Sequence, residues 1–434
     1  MAGRYWVETL GCPKNQVDSD KLAGTLVADG MTAAVSPEDA DLVLVNTCAF
    51  IDAARQESID TVLELADARR PGARLVVTGC LAERYGAELA DALPEVDQVA
   101  GFGVPIAGVG VPVAFGRRPA APAAPAAPAA PAAPAAPAMD LLNLPRPATA
   151  AAWAYVKVAE GCDRTCGFCA IPSFRGRQRS RTPESVLDEI DGLVAGGVAE
   201  VVLVAQDLAS YGRDLGRKGA IVPLLEAVRS RVPRVRLLYL YPSELNDGLI
   251  DAISGSGVPY FDLSLQHASK PLLRRMRRWG DGARFLSRVA AIRQREPDAA
   301  FRSSFIVGYP GETEADHDRL LAFVEQAQLD WAGFFAFSKE DGVFAATLDG
   351  EVAPALVADR LAELGELQDR ITASRRAALV GRTVEVLVDE PGQGRTHREA
   401  PEIDGVVHVP SDLPPRTFAT VTVTAAAGPD LEAA

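Results

Sequence analysis

Residues 160–172 read Glu-Gly-Cys-Asp-Arg-Thr-Cys-Gly-Phe-Cys-Ala-Ile-Pro and hold three cysteines, Cys162, Cys166 and Cys169. They follow an apolar run, Ala154–Ala159, which is typical of a strand. Thiolates at this spacing can bind three irons of a cubic iron–sulfur cluster, which leaves the fourth iron without a protein ligand. A zinc site would usually add a second C-x2-C pair, and none follows. The stretch therefore predicts an iron–sulfur cluster with one iron open for chemistry.

Strand and helix signals alternate on the carboxyl side of this stretch, over residues 151–375. The candidate strands are Ala154–Val158, Glu200–Ala205, Val235–Leu240, Tyr260–Leu265, Phe301–Val307 and Trp331–Phe337. Six βα units instead of eight predict an incomplete (β/α)6 barrel, whose active residues would lie at the carboxyl ends of the strands. A basic run, Leu273–Arg278, is typical of a solvated helix face.

Residues at or near these strand ends are candidates for binding a cofactor. Gln206 and Arg302 suit the amino and carboxylate ends of a bound amino acid, and the alternative for each is a structural hydrogen bond. Gly308 and Gly311 would let the backbone close over a flat ligand such as adenine. Phe168, between the second and third cysteines, is a further candidate.

The first 116 residues predict a second, open parallel α/β domain. Strands at Tyr5–Leu10, Asp41–Asn46 and Arg74–Thr78 alternate with helical patterns. The other cysteines each follow one of these strands: Cys12, Cys48 and Cys80. Because carboxyl ends of parallel strands form the ligand crevice of such sheets, we expect these three to form a second metal-binding rim. The alternative is that each is a small buried hydrophobe.

Residues 117–150 are predicted to be a linker. From Pro119 to Pro137 proline recurs at every third position among alanines. Such a sequence cannot continue a helix and favours an extended, semi-rigid spacer.

Residues 376–434 predict a small all-β barrel, because short β patterns alternate with glycine and proline turns. From Ala377 onward there are four arginines, no lysine and nine acidic residues, a net charge of −5. A surface that grips phosphates should be basic, so this domain suits a basic protein partner better than RNA.

Overall composition agrees with a protein of several domains that works inside the cell. The 434 residues carry a formal charge of −14 and only six cysteines, which is no secreted disulfide framework. The amino terminus lacks the apolar core of a signal peptide, and no apolar run has the length of a membrane span. We therefore expect a cytoplasmic protein without a membrane partner.

The chain resembles the radical S-adenosylmethionine superfamily through Cys162, Cys166, Cys169 and the glycine segment 308–312. It more closely resembles the methylthiotransferases within it, which combine an N-terminal three-cysteine domain, the radical domain and a C-terminal barrel called TRAM. The likeness spans nearly the whole chain apart from the spacer. Two segments, 337–342 and 394–405, are similar to the ribosomal-protein aspartate methylthiotransferases (RimO type), although Val343-Phe344 departs from the usual small residues or proline.

This resemblance implies two [4Fe-4S] clusters, and S-adenosylmethionine as both methyl donor and radical source. It also implies an external electron donor, a sulfur source and an acceptor, the β-carbon of an aspartate in the small-subunit ribosomal protein numbered twelve. That protein is basic, which agrees with an acidic enzyme. One alternative is a tRNA-adenosine methylthiotransferase (MiaB type), which would bind RNA directly. A second, of another class, is a non-catalytic iron–sulfur carrier.

Overall fold

The computed structural model describes residues 3–106 and 140–434. The proline repeat that predicts a spacer, Pro119–Pro137, lies outside the described residues. The described chain forms two compact units. One contains residues 3–49, 53–106 and 140–147, and the other contains residues 50–52 and 148–434.

The first unit is built on a parallel five-stranded sheet. Its strands are β1 (Arg4–Thr9), β2 (Thr32–Ala33), β3 (Leu42–Thr47), β4 (Arg74–Gly79) and β5 (Gln98–Val99), in the order β2-β1-β3-β4-β5. Its helices are α1 (Pro13–Ala28), α2 (Asp52–Ala68) and α3 (Cys80–Ala92). The three longer strands agree with the sequence prediction, and the short strands at the edges were not predicted. All six residues of β3 are buried, as its apolar run implies.

Residues 140–147 belong to this first unit, although the sequence assigned them to the linker. Leu141 is buried in a core that includes Tyr5 and Leu26, and Leu142 is buried as well. The fully buried Lys21 donates from Nζ to the carbonyl oxygen of Leu142 at 2.8 Å. Leu141, which follows the proline repeat, therefore contributes to the core of the sheet domain.

Strands and helices alternate in the part of the second unit that precedes the terminal barrel. The strands are β6 (Trp153–Lys157), β7 (Ala159–Glu160), β8 (Arg179–Ser180), β9 (Glu200–Val204), β10 (Arg234–Leu237), β11 (Tyr260–Gln266), β12 (Ala300–Val307) and β13 (Trp331–Ala336). The helices are α4 (Ile171–Arg175), α5 (Pro183–Ala195), α6 (Ile221–Arg229), α7 (Asp247–Ser254), α8 (Lys270–Arg275), α9 (Gly282–Arg295), α10 (Glu314–Ala327) and α11 (Pro354–Ala377).

Six of these strands form the predicted incomplete barrel. One three-stranded sheet has the order β10-β9-β6 and another the order β11-β12-β13. A single parallel bridge between Leu240 and Leu263 joins the two sheets. The strands thus follow one another as β6-β9-β10-β11-β12-β13 in an arc, and the prediction of a (β/α)6 barrel is confirmed. The short strands β7 and β8 pair antiparallel at one end of the arc.

The chain ends in a closed barrel, as predicted. Its strands are β14 (Thr383–Glu390), β15 (Gln393–Arg395), β16 (Val407–His408), β17 (Phe418–Ala427) and β18 (Asp430–Ala433), closed in the order β14-β15-β16-β18-β17. Its core holds Val386, Val407, Val423 and Leu431. Helix α11 leads into it from the (β/α)6 barrel.

Buried charges join the terminal barrel to the amino ends of the (β/α)6 strands. Glu200 has no exposed surface and accepts from Nε of Arg236 at 2.7 Å and from Nη1 of Arg395 at 3.1 Å. Arg395 also pairs with Asp389 at 2.6 Å. Burial alone would raise the pKa of Glu200, but Arg236 and Arg395 outweigh burial and lower this pKa to about 2.

The segment from Arg395 to Glu399 supplies further contacts of this junction. Arg398 pairs with Asp330 at 3.3 Å, and its carbonyl oxygen accepts from Nε1 of Trp331 at 2.7 Å. Glu399 is fully buried and pairs with Arg376 of α11. None of the helices in residues 3–106 and 140–434 is long and apolar enough to cross a membrane.

Candidate metal centres

The structure places the three cysteines of the first unit at one edge of its sheet. Cys12 is the residue before α1, Cys48 directly follows β3, and Cys80 opens α3 after β4. Strands β1, β3 and β4 are adjacent and parallel, so their carboxyl ends lie side by side. Cys48 and Cys80 are buried and Cys12 is partly exposed. We call these residues the first cysteine rim.

Gly11 lies directly against this rim. It has a φ of +95°, and a Cβ at this position would lie 2.8 Å from Cβ and 2.9 Å from Sγ of Cys48. Both distances are shorter than real Cβ contacts allow. The absence of a side chain at Gly11 is therefore what lets the segment that carries Cys12 approach Cys48.

We expect Gly11→Ala to weaken metal binding at the first cysteine rim, because the added methyl group displaces Cys48. Iron bound per chain after anaerobic reconstitution measures this loss. Gly30→Ala is the matched control, since Gly30 has a similar φ of +83° but nothing within 4 Å of its missing side chain. Equal iron contents in the two variants would contradict the prediction.

The loop with Cys162, Cys166 and Cys169 follows β6 and β7 at the mouth of the (β/α)6 barrel. The β7–β8 pair closes its base, and the Cys162 amide donates to the Gly176 carbonyl at 3.1 Å. The amide of Gly167 donates to the Met276 carbonyl at 2.8 Å. The loop is thus held by backbone contacts on both sides, and we call its three cysteines the second cysteine rim.

Two donors point at sulfur atoms of the second cysteine rim. The backbone N–H of Arg164 lies 3.4 Å from Sγ of Cys162, and Nη1 of Arg278 lies 3.4 Å from Sγ of Cys166. Hydrogen bonds to ligand sulfurs orient the ligands and tune the potential of iron–sulfur clusters. The donor set of three thiols with sulfur-directed N–H groups therefore fits such a cluster.

Burial raises the pKa of two of these thiols, that of Cys162 to about 11 and that of Cys169 to about 12. Without a metal the protein therefore keeps both thiols protonated at neutral pH. Metal binding requires thiolates and releases their protons, so we expect cluster assembly to be favoured at higher pH.

In residues 3–106 and 140–434, no three or more His, Cys, Asp or Glu side chains are placed to share a single metal ion. A cubic cluster needs no such convergence, because each thiolate binds a different iron.

A cavity of about 110 Å³ opens beside the second cysteine rim. Besides the three cysteines it is lined by Arg164, Phe168, Ile171, Gln206, Asp207, Tyr239, Tyr241, Ser264, Gln266 and Arg278. Two of the sequence-predicted cofactor residues, Phe168 and Gln206, are therefore brought together with the cysteines.

Unsatisfied polar atoms and backbone strain mark this cavity. Oε1 of Gln206 and Oδ1 of Asp207 are buried and have no hydrogen-bond partner among the described residues. Tyr239 and Gln266 have φ values of +67° and +71°, which side-chain-bearing residues rarely adopt. Orphan acceptors and left-handed backbone are features of ligand sites. A ligand that carries N–H donors would satisfy both acceptors.

Glu160 anchors the start of the cysteine loop and orients Gln206. Its carboxylate accepts from Nζ of Lys157 at 2.7 Å, from Nη1 of Arg175 at 2.9 Å and from Nε2 of Gln206 at 2.6 Å. Burial would raise the pKa of Glu160, but Arg175 and Lys157 outweigh it and hold this pKa well below its ordinary value. The amide nitrogen of Gln206 is bound to Glu160, whereas its oxygen has no hydrogen-bond partner among the described residues.

Two arginines enclose Tyr241 at the cavity. The guanidinium carbon of Arg164 lies 3.9 Å from the centre of the Tyr241 ring, and that of Arg278 lies 4.0 Å from it. Arg164 is also bound to Asp207 at 2.6 Å and to Glu244 at 3.0 Å. These contacts tie the cysteine loop to the loops that follow β9 and β10.

Arg302 lies elsewhere, against expectation. Its guanidinium faces Asp262 at 3.3 Å and Asp404 at 3.5 Å, and it lines a different cavity with Trp331. Arg302 is the third residue of β12, roughly 16 Å before the carboxyl end of that strand at 3.3 Å per residue. Its register therefore directs it to the terminal barrel and not to the cysteine rim.

Gly308 and Gly311 form a turn that is packed by protein side chains. A Cβ on Gly308 would meet Val357 at 2.5 Å, and one on Gly311 would meet Arg275 at 3.0 Å. Neither glycine lines the cavity with the cysteines. Between them, Tyr309 brings its hydroxyl close to Gly167, where a Cβ would lie 2.8 Å away. The turn therefore supports the cysteine loop through Tyr309.

Sequence reasoning missed Arg278. The basic run Leu273–Arg278 was expected to be a solvated helix face, but α8 ends at Arg275 and Arg277 has a φ of +56°. This turn sends Arg278 towards Cys166 and the carbonyl of Ser264. The helical pattern gives no sign that the chain reverses there.

Comparison with known proteins agrees with this architecture. Residues 4–101 match the family described as uncharacterized protein family UPF0004, residues 156–324 match the radical SAM superfamily, and residues 380–434 match the TRAM domain.

Similar curated proteins cover nearly the whole chain. A protein of Kineococcus radiotolerans is 42% identical and spans 98% of this chain and 95% of its own length. One from Moorella thermoacetica is 42% identical over 97% and 96%, and one from Streptomyces avermitilis is 43% identical over 92% and 89%. Each is named ribosomal protein uS12 methylthiotransferase RimO. The chain described here belongs to this family of radical S-adenosylmethionine methylthiotransferases.

Proposed function

We propose that the protein transfers a methylthio group to the β-carbon of an aspartate in ribosomal protein uS12, with S-adenosylmethionine as methyl donor and radical source. The observation that carries this proposal is the presence of two three-cysteine rims, one in each unit. One cluster with an iron that has no protein ligand is enough for radical chemistry. The insertion of sulfur needs a second site that binds the sulfur before its transfer. We infer the substrate, uS12, from the names of the relatives described above.

We assign Cys12, Cys48 and Cys80 to one [4Fe-4S] cluster and Cys162, Cys166 and Cys169 to the other. When bound, the latter supplies the one-electron cleavage of S-adenosylmethionine, and the former supplies the sulfur. We infer that residues around the second rim bind the cofactor: Gln206, whose side-chain oxygen has no partner among the described residues, would accept from its ammonium group, and Phe168 and Tyr241 line the same cavity.

The surface of the terminal barrel supports a basic protein as substrate. Its four arginines all contact the rest of the second unit: Arg395 and Arg398 are buried, Arg382 pairs with Asp298 although it is about half exposed, and Arg416 donates to the Gly196 carbonyl. Acidic residues remain exposed, namely Glu390, Glu402, Asp412 and Glu432. The solvent-facing side is therefore mainly acidic, in agreement with the composition, which favours a basic partner over RNA.

The proposal requires two further partners, an external one-electron donor and a source of replacement sulfur. It also places the reaction in the cytoplasm, where ribosomal proteins are made and assembled.

Methylthiolation assays would test this function. Reconstituted protein is incubated under anaerobic conditions with reductant, S-adenosylmethionine and either uS12 or tRNA, and the products are analysed by mass spectrometry. We expect the mass of one methylthio group on a uS12 aspartate. Modified tRNA with unmodified uS12 would reverse the choice of substrate. Bound clusters without 5′-deoxyadenosine would instead favour an iron–sulfur carrier.

Arg278→Met should make the cluster of the second cysteine rim harder to reduce. The change removes a cation and a hydrogen bond at the Cys166 sulfur, both of which stabilise the added electron. We expect the midpoint potential to fall by on the order of tens of millivolts, measured by a redox titration followed by electron paramagnetic resonance. Arg274→Met, at an exposed position of the same run, serves as control. An unchanged potential in Arg278→Met would refute the assignment.

A further inference from the structure

One buried side chain contacts all three segments that carry the first cysteine rim. Asn15 lies in the first turn of α1 and has no exposed surface. Its Nδ2 donates to the Leu10 carbonyl at 2.8 Å and to the Thr47 carbonyl at 3.0 Å. Its Oδ1 lies 3.7 Å from Sγ of Cys80 and accepts a hydrogen bond from it.

These contacts join parts of the chain that are far apart in sequence. Leu10 is two residues before Cys12, and Thr47 immediately precedes Cys48. The three partners lie 5, 32 and 65 residues from Asn15. A single amide therefore contacts the three loops at the sheet edge.

The orientation of this amide follows from its partners. A primary amide has two N–H donors and one oxygen acceptor. Both carbonyl oxygens need donors, so the nitrogen must face Leu10 and Thr47 and the oxygen must face Cys80. The backbone of Asn15 is fixed as well, because its N–H donates to the Cys12 carbonyl at 2.8 Å and its carbonyl accepts from Asn46 at 2.8 Å.

We propose that Asn15 is the positioning residue of the first cysteine rim: its amide holds the segments of Cys12 and Cys48 through two backbone carbonyls and accepts a hydrogen bond from the Cys80 thiol of the metal-free protein, which gives up this bond when it becomes a thiolate ligand. This inference rests on the proposed function, which places a cluster there. Asn15 does not bind iron itself. It acts through the loops that carry Cys12, Cys48 and Cys80, as outer partners of metal ligands commonly do.

Two substitutions separate the contributions of this side chain. Asn15→Ala removes all three contacts. Asn15→Asp keeps the shape and the acceptor towards Cys80, but it turns a carboxylate oxygen against the carbonyls of Leu10 and Thr47. Ser19→Ala is the matched control, because Ser19 is a buried residue of the same helix that binds Thr9 and Asn46 and none of the three contact points of Asn15.

The second cysteine rim provides an internal reference in the same chain. In both Asn15 variants we expect bound iron to fall from about eight to about four atoms per chain. Any remaining cluster at the first rim should lose iron to a chelator at least about tenfold faster than in the wild type. The resonance signal of the other cluster and the formation of 5′-deoxyadenosine should persist. Hydrogen exchange of β3 should stay slow, which shows that the sheet is intact.

Wild-type iron content and release rate in both Asn15 variants would overturn the inference. An equal loss of iron in Ser19→Ala, or fast exchange of β3 in the Asn15 variants, would also overturn it, because the role would then be general stability. Failure of the proposed function gives a different result: the wild type would hold both clusters without methylthiolating uS12. The Asn15 comparison is judged on iron and on hydrogen exchange, neither of which depends on methylthiolation, and it would still stand.

Discussion

Replacement of Cys166 by alanine is expected to abolish the formation of 5′-deoxyadenosine. Cys166 lines the cavity beside the second cysteine rim, and its sulfur takes a hydrogen bond from Arg278. With two thiolates left, the loop no longer has a ligand for each of three irons. Bound iron should fall by about half, and methylthiolation should be lost together with 5′-deoxyadenosine.

Cys48→Ala is the reciprocal variant and the control. Cys48 belongs to the other compact unit, so its loss should leave the second cysteine rim loaded. We expect Cys48→Ala to retain 5′-deoxyadenosine formation at close to the wild-type rate and to lose only the transfer of sulfur. Iron analysis and chromatography of the nucleoside product measure both effects. Persistent 5′-deoxyadenosine formation in Cys166→Ala, or its loss in Cys48→Ala, would contradict the assignment of radical formation to the second cysteine rim and of sulfur transfer to the first.

Glu200→Ala is expected to give a large loss of stability. Glu200 is fully buried between Arg236 and Arg395, with contacts at 2.7 and 3.1 Å. Its removal leaves two buried cations without their shared anion. Breaking a buried ion pair from one side costs about 3–5 kcal/mol, and we expect a decrease of this size in the free energy of unfolding in urea. Hydrogen exchange at β15 should accelerate, because Arg395 ends that strand.

The pH dependence of this effect has a definite sign. The pKa of Glu200 is lowered to about 2 in the folded protein from an ordinary value of 4.5. Its ionised form therefore stabilises the fold above about pH 4.5, and this contribution is lost as the pH falls from there towards 2. The difference between the wild type and Glu200→Ala should shrink over the same interval.

Asp251→Ala provides the comparison for Glu200→Ala. Asp251 pairs with Arg295 at 3.4 Å, and both side chains are about half or more exposed. Such a pair contributes little, and we expect a change within roughly 0.5 kcal/mol. If Glu200→Ala and Asp251→Ala had equal effects, the buried junction would not hold the terminal barrel in place.

Much of the fold could be predicted from sequence because local patterns decide it. The length and hydrophobicity of β3 and of the strand that precedes Cys162 are enough to predict both strands. The short strands β2 and β5 have two residues each, too few for any periodicity. Residues 140–147 follow a proline repeat and resemble its continuation in sequence, yet Leu141 belongs to the core of the sheet domain and Leu142 is buried.

The site was predictable where chemistry is tied to one residue type. Cysteines at strand ends are such a signal, and the structure groups them into two rims. Arg302 shows the limit: a strand pattern identifies β12, but its register relative to the cavity depends on the whole barrel. Asn15 and Arg278 act through contacts with loops that are distant in sequence, and no local pattern encodes them. That the oxygen of Gln206 lacks a hydrogen-bond partner can be recognised only from the structure, which shows its amide nitrogen bound to Glu160.

The buried arginines of the segment 395–399 have a consequence for the modularity of the enzyme. This segment lies within the stretch that resembles the uS12-specific subgroup, yet Arg395 and Arg398 face acids of the (β/α)6 barrel and not solvent. The stretch therefore encodes how the terminal barrel is attached. The terminal barrel cannot be transferred alone: on a radical enzyme without counterparts of Glu200 and Asp330, Arg398 would lose its partner Asp330 and Arg395 would keep only Asp389 as its acidic partner. A chimera should carry both faces of the junction together.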